Sequence, residues 1–254
     1  MNPLVERLLA NLLELREDID RVAAATGRSH SDIDLLPVSK YATALETQAL
    51  AEAMVAAGLE VRLAESRVQA LVQKASELAG TGPEILWDLI GTLQSNKAGK
   101  ALRVVDRIHS FDRESILIQL NSLAQAQEAQ PGTTARTVAG LLQVNISAEG
   151  AKHGFDPDDL PAVLEMVAGL PGIRLLGFMG MAARNTDHDS ARTAFAALRQ
   201  LRDRLAPELP HLSMGMSRDY RGAILEGSTI LRIGSLLFRS PPRSRPGEDT
   251  AAEA

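Results

Sequence analysis

The stretch "DIDLLPVSKYATALETQALAEAMVAAGLEVRLAES", residues 32–66, holds one complete structural repeat. Leu35, Leu36 and Val38 form a short apolar run that ends on Ser39 and Lys40. The next segment, 44–57, is dominated by Ala, Leu and Glu, which favour a helix, and Gly58 marks its end. A second apolar run, 60–66, then ends on Glu65 and Ser66. A strand, a crossover helix and a second strand of these lengths form a unit whose two strands lie parallel.

The pattern continues along the chain. Strand-like runs at 84–91, 106–112, 138–147, 172–182, 211–217 and 229–238 bring the number to eight. Helical patterns at 67–79, 95–104, 113–128, 158–169, 189–206 and 219–226 separate most of them. Eight alternations within 254 residues predict an α/β fold, a (β/α)8 TIM-type barrel. A doubly wound open sheet is the alternative, but no G-x-G-x-x-G follows the first strand. Asn2 and Pro3 open an extra N-terminal helix, and Val5, Leu8, Leu9, Leu12 and Leu13 supply its apolar face. "QAQEAQPGTTART" reads as a helix end and a loop. Residues 1–239 read as a single barrel domain. The tail from Ser240, "SPPRSRPGEDTAAEA", is Pro-rich and charged, so 240–254 read as disordered.

Composition excludes several classes. Aromatic residues are 3% of the chain and the net charge is −5, which leaves neither stacking platforms nor a basic footprint for nucleic acid. Without cysteine there is no disulfide, thiolate metal site or cysteine nucleophile. Glu6 and Glu14 interrupt the apolar N-terminal pattern, which rules against a signal peptide. No apolar run approaches the roughly 18 residues of a spanning helix. A cytoplasmic monomer with no membrane contact is the expectation.

Barrel enzymes and binders place function at the C-terminal strand ends. Here those ends are polar. Lys40 closes the first strand. Arg232 lies between Leu231 and Ile233 in the eighth, where a guanidinium needs partners. A structural carboxylate is one such partner and a ligand is another. Gly234 and Ser235 follow, offering backbone N–H groups and a hydroxyl, and Ser217 ends the seventh strand. Gly227, Ser228 and Thr229 read as a turn. The five histidines show no metal-ligand spacing, so no metal site is expected. The methionines of "SMGMS" read as packing, although those next to Ser217 are placed to flank a ring. An amine beside a phosphate cradle suggests a Schiff base with a phosphorylated carbonyl compound. A sugar phosphate and pyridoxal 5'-phosphate both fit; Arg232 favours the second, because a pyridine nitrogen takes one fixed partner.

At these residues the chain resembles the pyridoxal-phosphate homeostasis proteins, single barrels similar to the N-terminal domain of alanine racemase. The resemblance rests on "PVSK" (37–40), "IGTLQSNK" (90–97), "HSFDR" (109–113), "LLQVNIS" (141–147), "LSMGMS" (212–217) and "EGSTILRIGSLLF" (226–238). It implies that Lys40 holds pyridoxal 5'-phosphate (PLP) as a lysine aldimine. It implies that Ser217, Gly234 and Ser235 bind the phosphate, with Gly215, Met216 and Asn145 also in the site, and that Arg232 faces the pyridine nitrogen. The implied role is non-catalytic: a PLP carrier serving homeostasis, with PLP-dependent apoenzymes as partners. A PLP-dependent racemase or decarboxylase is the alternative, and an aldolase-like barrel is the third reading. The chain departs from the family pattern in places. Ala64-Glu65-Ser66 replaces Gly-Glu-Asn, Arg67 stands where an aromatic is expected, Asp88 replaces a histidine after Trp87, and Arg239 replaces a glycine.

Overall fold

The computed structural model describes residues 2–128, 137–147, 154–183 and 187–240. Helix α1 (Pro3–Ala24) precedes the alternating units. The strands are β1 (Asp34–Pro37), β2 (Arg62–Glu65), β3 (Leu86–Leu89), β4 (Arg107–Phe111), β5 (Val138–Gln143), β6 (Ile173–Met179), β7 (His211–Met216) and β8 (Ile230–Ile233). Between them run α2 (Ala44–Ala56), α3 (Val68–Leu78), α4 (Ala98–Ala101), α5 (Glu114–Glu128), α6 (Leu160–Ala168), α7 (His188–Leu205) and α8 (Tyr220–Leu225). All strands pair in parallel, in the order β1-β8-β7-β6-β5-β4-β3-β2.

Closure between β1 and β2 rests on one bridge, Val38 with Ala64, where the Ser39 N–H donates to the Ala64 carbonyl at 2.9 Å. The reason lies in Pro37. The Val38 N–H points to β8 and the Ser39 N–H to β2, so the position of Pro37 faces β2 and has no N–H to give. A buried ion pair bolts this seam. Lys74 of α3 donates through Nζ to the Ser39 carbonyl (2.5 Å) and to Glu65 Oε2 (2.8 Å).

Strand alternation sorts the core into two layers. Leu36, Val38, Ala64, Leu141, Met179 and Ile230 meet inside the barrel. Outward residues such as Leu63, Ile108, Phe178 and Leu231 pack with Leu50, Leu71, Leu117 and Phe195 of the helices. Full burial of each such side chain contributes roughly 1.5–3 kcal/mol.

Helix α1 starts where expected: Asn2 accepts the Leu4 N–H at 2.9 Å and Pro3 occupies the first turn. Its buried stripe is Val5, Leu8, Leu12, Leu15, Ile19 and Ala23. It is tied to α8 by Asp18, which accepts from Tyr220 Oη (2.5 Å) and Arg221 (2.8 Å). Asn11 donates to the carbonyls of Leu237 and Arg239, and Arg239 pairs with Glu14. Arg239 therefore ties the end of the barrel to α1.

Three boundaries differ most from the sequence reading. The helix expected at 95–104 is a short 3-10 turn, Ser95–Lys97, followed by the four residues of α4; Gly99 weakens that helix. The fifth strand stops at Gln143, and Val144 bridges Phe155 instead. The eighth stops at Ile233, because the chain turns at Gly234, whose carbonyl accepts the Leu237 N–H at 3.0 Å. The "QAQEAQPGTTART" loop at 129–136 and the tail at 241–254 lie outside the described residues.

Candidate functional site

A cavity of about 830 Å³ opens at the C-terminal ends of the strands. Lys40, Met216, Ser217, Arg232, Gly234 and Ser235 all line it. Strand pairing explains how they meet. Pro37 of β1 is in register with Ile233 of β8, so the chain leaving β1 carries Lys40 to the rim beside Gly234. Met216 is in register with Arg232, and the Gly234 N–H donates to Ser217 Oγ at 3.3 Å. Asp219 shapes this corner by accepting the Met216 N–H at 2.6 Å. Burial raises the Asp219 carboxyl above its ordinary value, against the pull of that bond and of Arg232.

Lys40 is exposed at the rim, and its Nζ lies 4.9 Å from the centroid of the Tyr41 ring. The Tyr41 side chain is 89% exposed. The lysine thus has an aromatic face and solvent around it, and can reach into the cavity without losing a bolted partner.

Arg232 is the opposite case. It is buried, and three bonds hold it: Nη1 to the Ser213 carbonyl (2.6 Å) and Ser213 Oγ (2.7 Å), and Nη2 to the Gly180 carbonyl (3.0 Å). No carboxylate is among these partners, which argues against the structural ion pair weighed from the sequence. Burial pushes the guanidinium down to about 10, with Asp219 opposing. Nε takes no part in the three bonds, and the residue still lines the cavity. It therefore offers a donor, and only a donor, to whatever enters.

Two of the residues expected in the site are elsewhere. Gly215 is buried behind the wall, with φ +93°, and a Cβ there would meet Ala223 Cβ at 2.6 Å. Its role is backbone shape. Asn145 lies past the end of β5, where its N–H donates to the Phe155 carbonyl and its Oδ1 accepts from Ser147 Oγ. The residue that β5 sends to the cavity is Gln143. Strand alternation through Ala139 and Leu141 was the signal for it.

Sequence reasoning also passed over a buried polar layer beneath the cavity. Ser213 Oγ meets His109 Nδ1 at 2.9 Å, and His109 Nε2 meets Asp88 Oδ2 at 2.9 Å. Asp88 is fully buried and receives Arg62 Nη1 and Arg107 Nε at 2.9 and 2.8 Å. Burial alone would raise the Asp88 carboxyl, but the His109 bond and the charges of Arg107 and Arg62 hold it below its ordinary value. Burial also pushes His109 down to about 4, against the pull of Asp88. His109 and Asp88 stand at inward positions of adjacent strands, which periodicity alone could have shown.

A barrel of this order, with a lysine on its rim and an arginine at its eighth strand, defines a class. The family model for "Alanine racemase, N-terminal domain" matches residues 5–242. The "Pyridoxal phosphate homeostasis protein" of Pseudomonas aeruginosa is 38% identical over 228 residues, covering 90% of this chain and 93% of its own length. The chain belongs to the pyridoxal phosphate homeostasis protein family. Among solved structures, an unknown protein from Bifidobacterium adolescentis superposes with a TM-score of 0.80 at 30% identity, covering 94% of this chain and 97% of that one. PipY of Synechococcus elongatus, solved with PLP bound, superposes at 0.70 with 32% identity, covering 87% and 99%.

Proposed function

We propose that this chain binds PLP in the cavity, holds it covalently through Lys40, and serves as a carrier in PLP homeostasis rather than as an enzyme. The family membership and the PLP-bound relative support the ligand. The cavity fits it by chemistry. Ser217 and Ser235 supply hydroxyls and Gly234 a backbone N–H at one corner, where an anion would sit. A Cβ at Gly234 would stand 3.3 Å from the Val38 carbonyl, so glycine keeps that wall close and open. PLP supplies an aldehyde that a lysine amine can attack.

The carrier reading rests on Arg232. An enzyme that uses the pyridine ring as an electron sink places a carboxylate at its nitrogen. Here the fixed group is a guanidinium that can only donate, which would leave a pyridine nitrogen placed against it unprotonated and the sink weak. A narrower observation concerns the tyrosines alone, since Glu46, Asp187, His188 and Asp219 also line the cavity. Racemisation needs a proton-transfer group on each face of the ring. Of the two tyrosines, Tyr220 spends its hydroxyl on Asp18, and Tyr41 adjoins the lysine itself. Lys40 sits on an exposed rim, so solution amines can reach it and PLP can leave.

The test is transfer. The PLP-loaded chain, mixed with a PLP-dependent apoenzyme, is expected to restore that enzyme's activity, while alanine and serine racemisation stay at background. Robust racemisation lost in Lys40→Ala would favour the enzyme instead.

A further inference from the structure

We propose that Asp88, His109 and Ser213 are positioning residues that orient Arg232 toward the ligand through a hydrogen-bond relay of one fixed direction. The inference rests on the PLP reading for its ligand, but its geometry is independent of it.

The direction follows from donor and acceptor counting. Asp88, ionised between Arg62 and Arg107, can only accept. His109 Nε2 must therefore carry a proton and donate it to Asp88 Oδ2. A neutral imidazole has a single N–H, so Nδ1 is left as an acceptor. Its partner is Ser213 Oγ, which must turn its own O–H toward His109. The oxygen of Ser213 then presents lone pairs only to Arg232 Nη1, at 2.7 Å. Every proton in the chain has one place.

The groups facing His109 reinforce this. Asp88 favours a charged ring, while Arg107, Arg232 and complete burial oppose it. A charged ring would carry a proton on Nδ1 and point it at Ser213, which would then face donors on two sides. Position 88 is thus the switch-setter of the layer. A side chain there able both to donate and to accept would leave the relay free to run either way. In the reversed direction Ser213 Oγ would accept from both His109 and Arg232, its own proton would have no fixed partner, and the hydroxyl would no longer be held in one orientation against the guanidinium.

The experiment uses the full chain with 15N-labelled histidine. Two-bond 15N–1H correlation of the cofactor-free protein reads the tautomer of His109. The relay requires Nε2–H in the parent and mixed tautomers in Asp88→Asn. Ser213→Ala, which removes only the hydroxyl, keeps the Nε2–H tautomer but cuts the link to Arg232. With PLP at saturation, its visible band and the pH midpoint of that band are expected to shift in Ser213→Ala, and affinity to fall severalfold. Ser217→Ala, a change at the phosphate corner, should weaken binding about tenfold and leave the band where it was. An Nδ1–H tautomer in the parent overturns the relay. So does a Ser213→Ala band identical to the parent's. A parent that takes up no PLP instead overturns the binding reading, and with it the ligand end of the relay; the tautomer still decides the rest.

Discussion

Lys40 and Arg232 come from adjacent strands yet live in different physical settings. The lysine stands exposed beside Tyr41, and the arginine is buried and held through two carbonyls and a hydroxyl. On the proposed reading, mobility suits a lysine that would form and release a covalent bond, and rigidity suits an arginine that would hold a ring nitrogen. Borohydride reduction of the PLP-loaded chain followed by peptide mapping is expected to place the label on Lys40. Label on Lys97 or Lys100 would refute that assignment. If Ser217 and Ser235 hold the phosphate as proposed, Ser217→Ala and Ser235→Ala each remove a hydroxyl from a charged oxygen, and PLP affinity should fall about tenfold in a titration for each. Unchanged affinity in both would place the phosphate elsewhere. These groups were legible in the sequence because each is polar at a strand end. Of Asp88 and His109 periodicity could show only the inward placement; their purpose was not legible, because a buried polar residue shows it only beside its partners.

At the level of elements, the weak point is the β1–β2 seam. Pro37 deprives it of one donor, and Lys74 of α3 reaches across to close it through Ser39 and Glu65. Glu65 is fully buried, so removing the lysine strands a carboxylate without a counter-charge. Lys74→Met should destabilise the fold by roughly 3–5 kcal/mol, read as a drop in the chemical denaturation midpoint. Hydrogen exchange at the Ser39 amide should quicken by more than at β5 or β6. Equal protection in parent and variant would mean that the seam does not depend on the bolt. The proline was visible in the sequence, but the lysine looked like any helical lysine until α3 was packed against the barrel.

The whole molecule carries a pH dependence that follows from the buried layer. His109 titrates near 4 when folded and near the ordinary histidine value when unfolded. Between these values the unfolded chain binds the extra proton. Stability is therefore full above roughly pH 6.5 and declines as pH falls toward 4, by about 3 kcal/mol at most. His211, also shifted downward, acts in the same direction in this window, whereas Asp88, held below the ordinary carboxylate value, gives up its contribution only at lower pH. Urea midpoints at about pH 7 and about pH 5 should show the loss, and His109→Gln should flatten it; an equal slope in parent and variant would contradict this account. Alternation of apolar runs with helical segments determined the eightfold barrel, its added N-terminal helix and the strand-end residues, because those patterns are local and periodic. Only the tertiary structure decided that Gln143 rather than Asn145 faces the cavity, that Gly215 shapes backbone, and that Arg232 answers to Ser213, His109 and Asp88. Those relations depend on strand register and burial across the barrel, which bring together residues far apart in the chain.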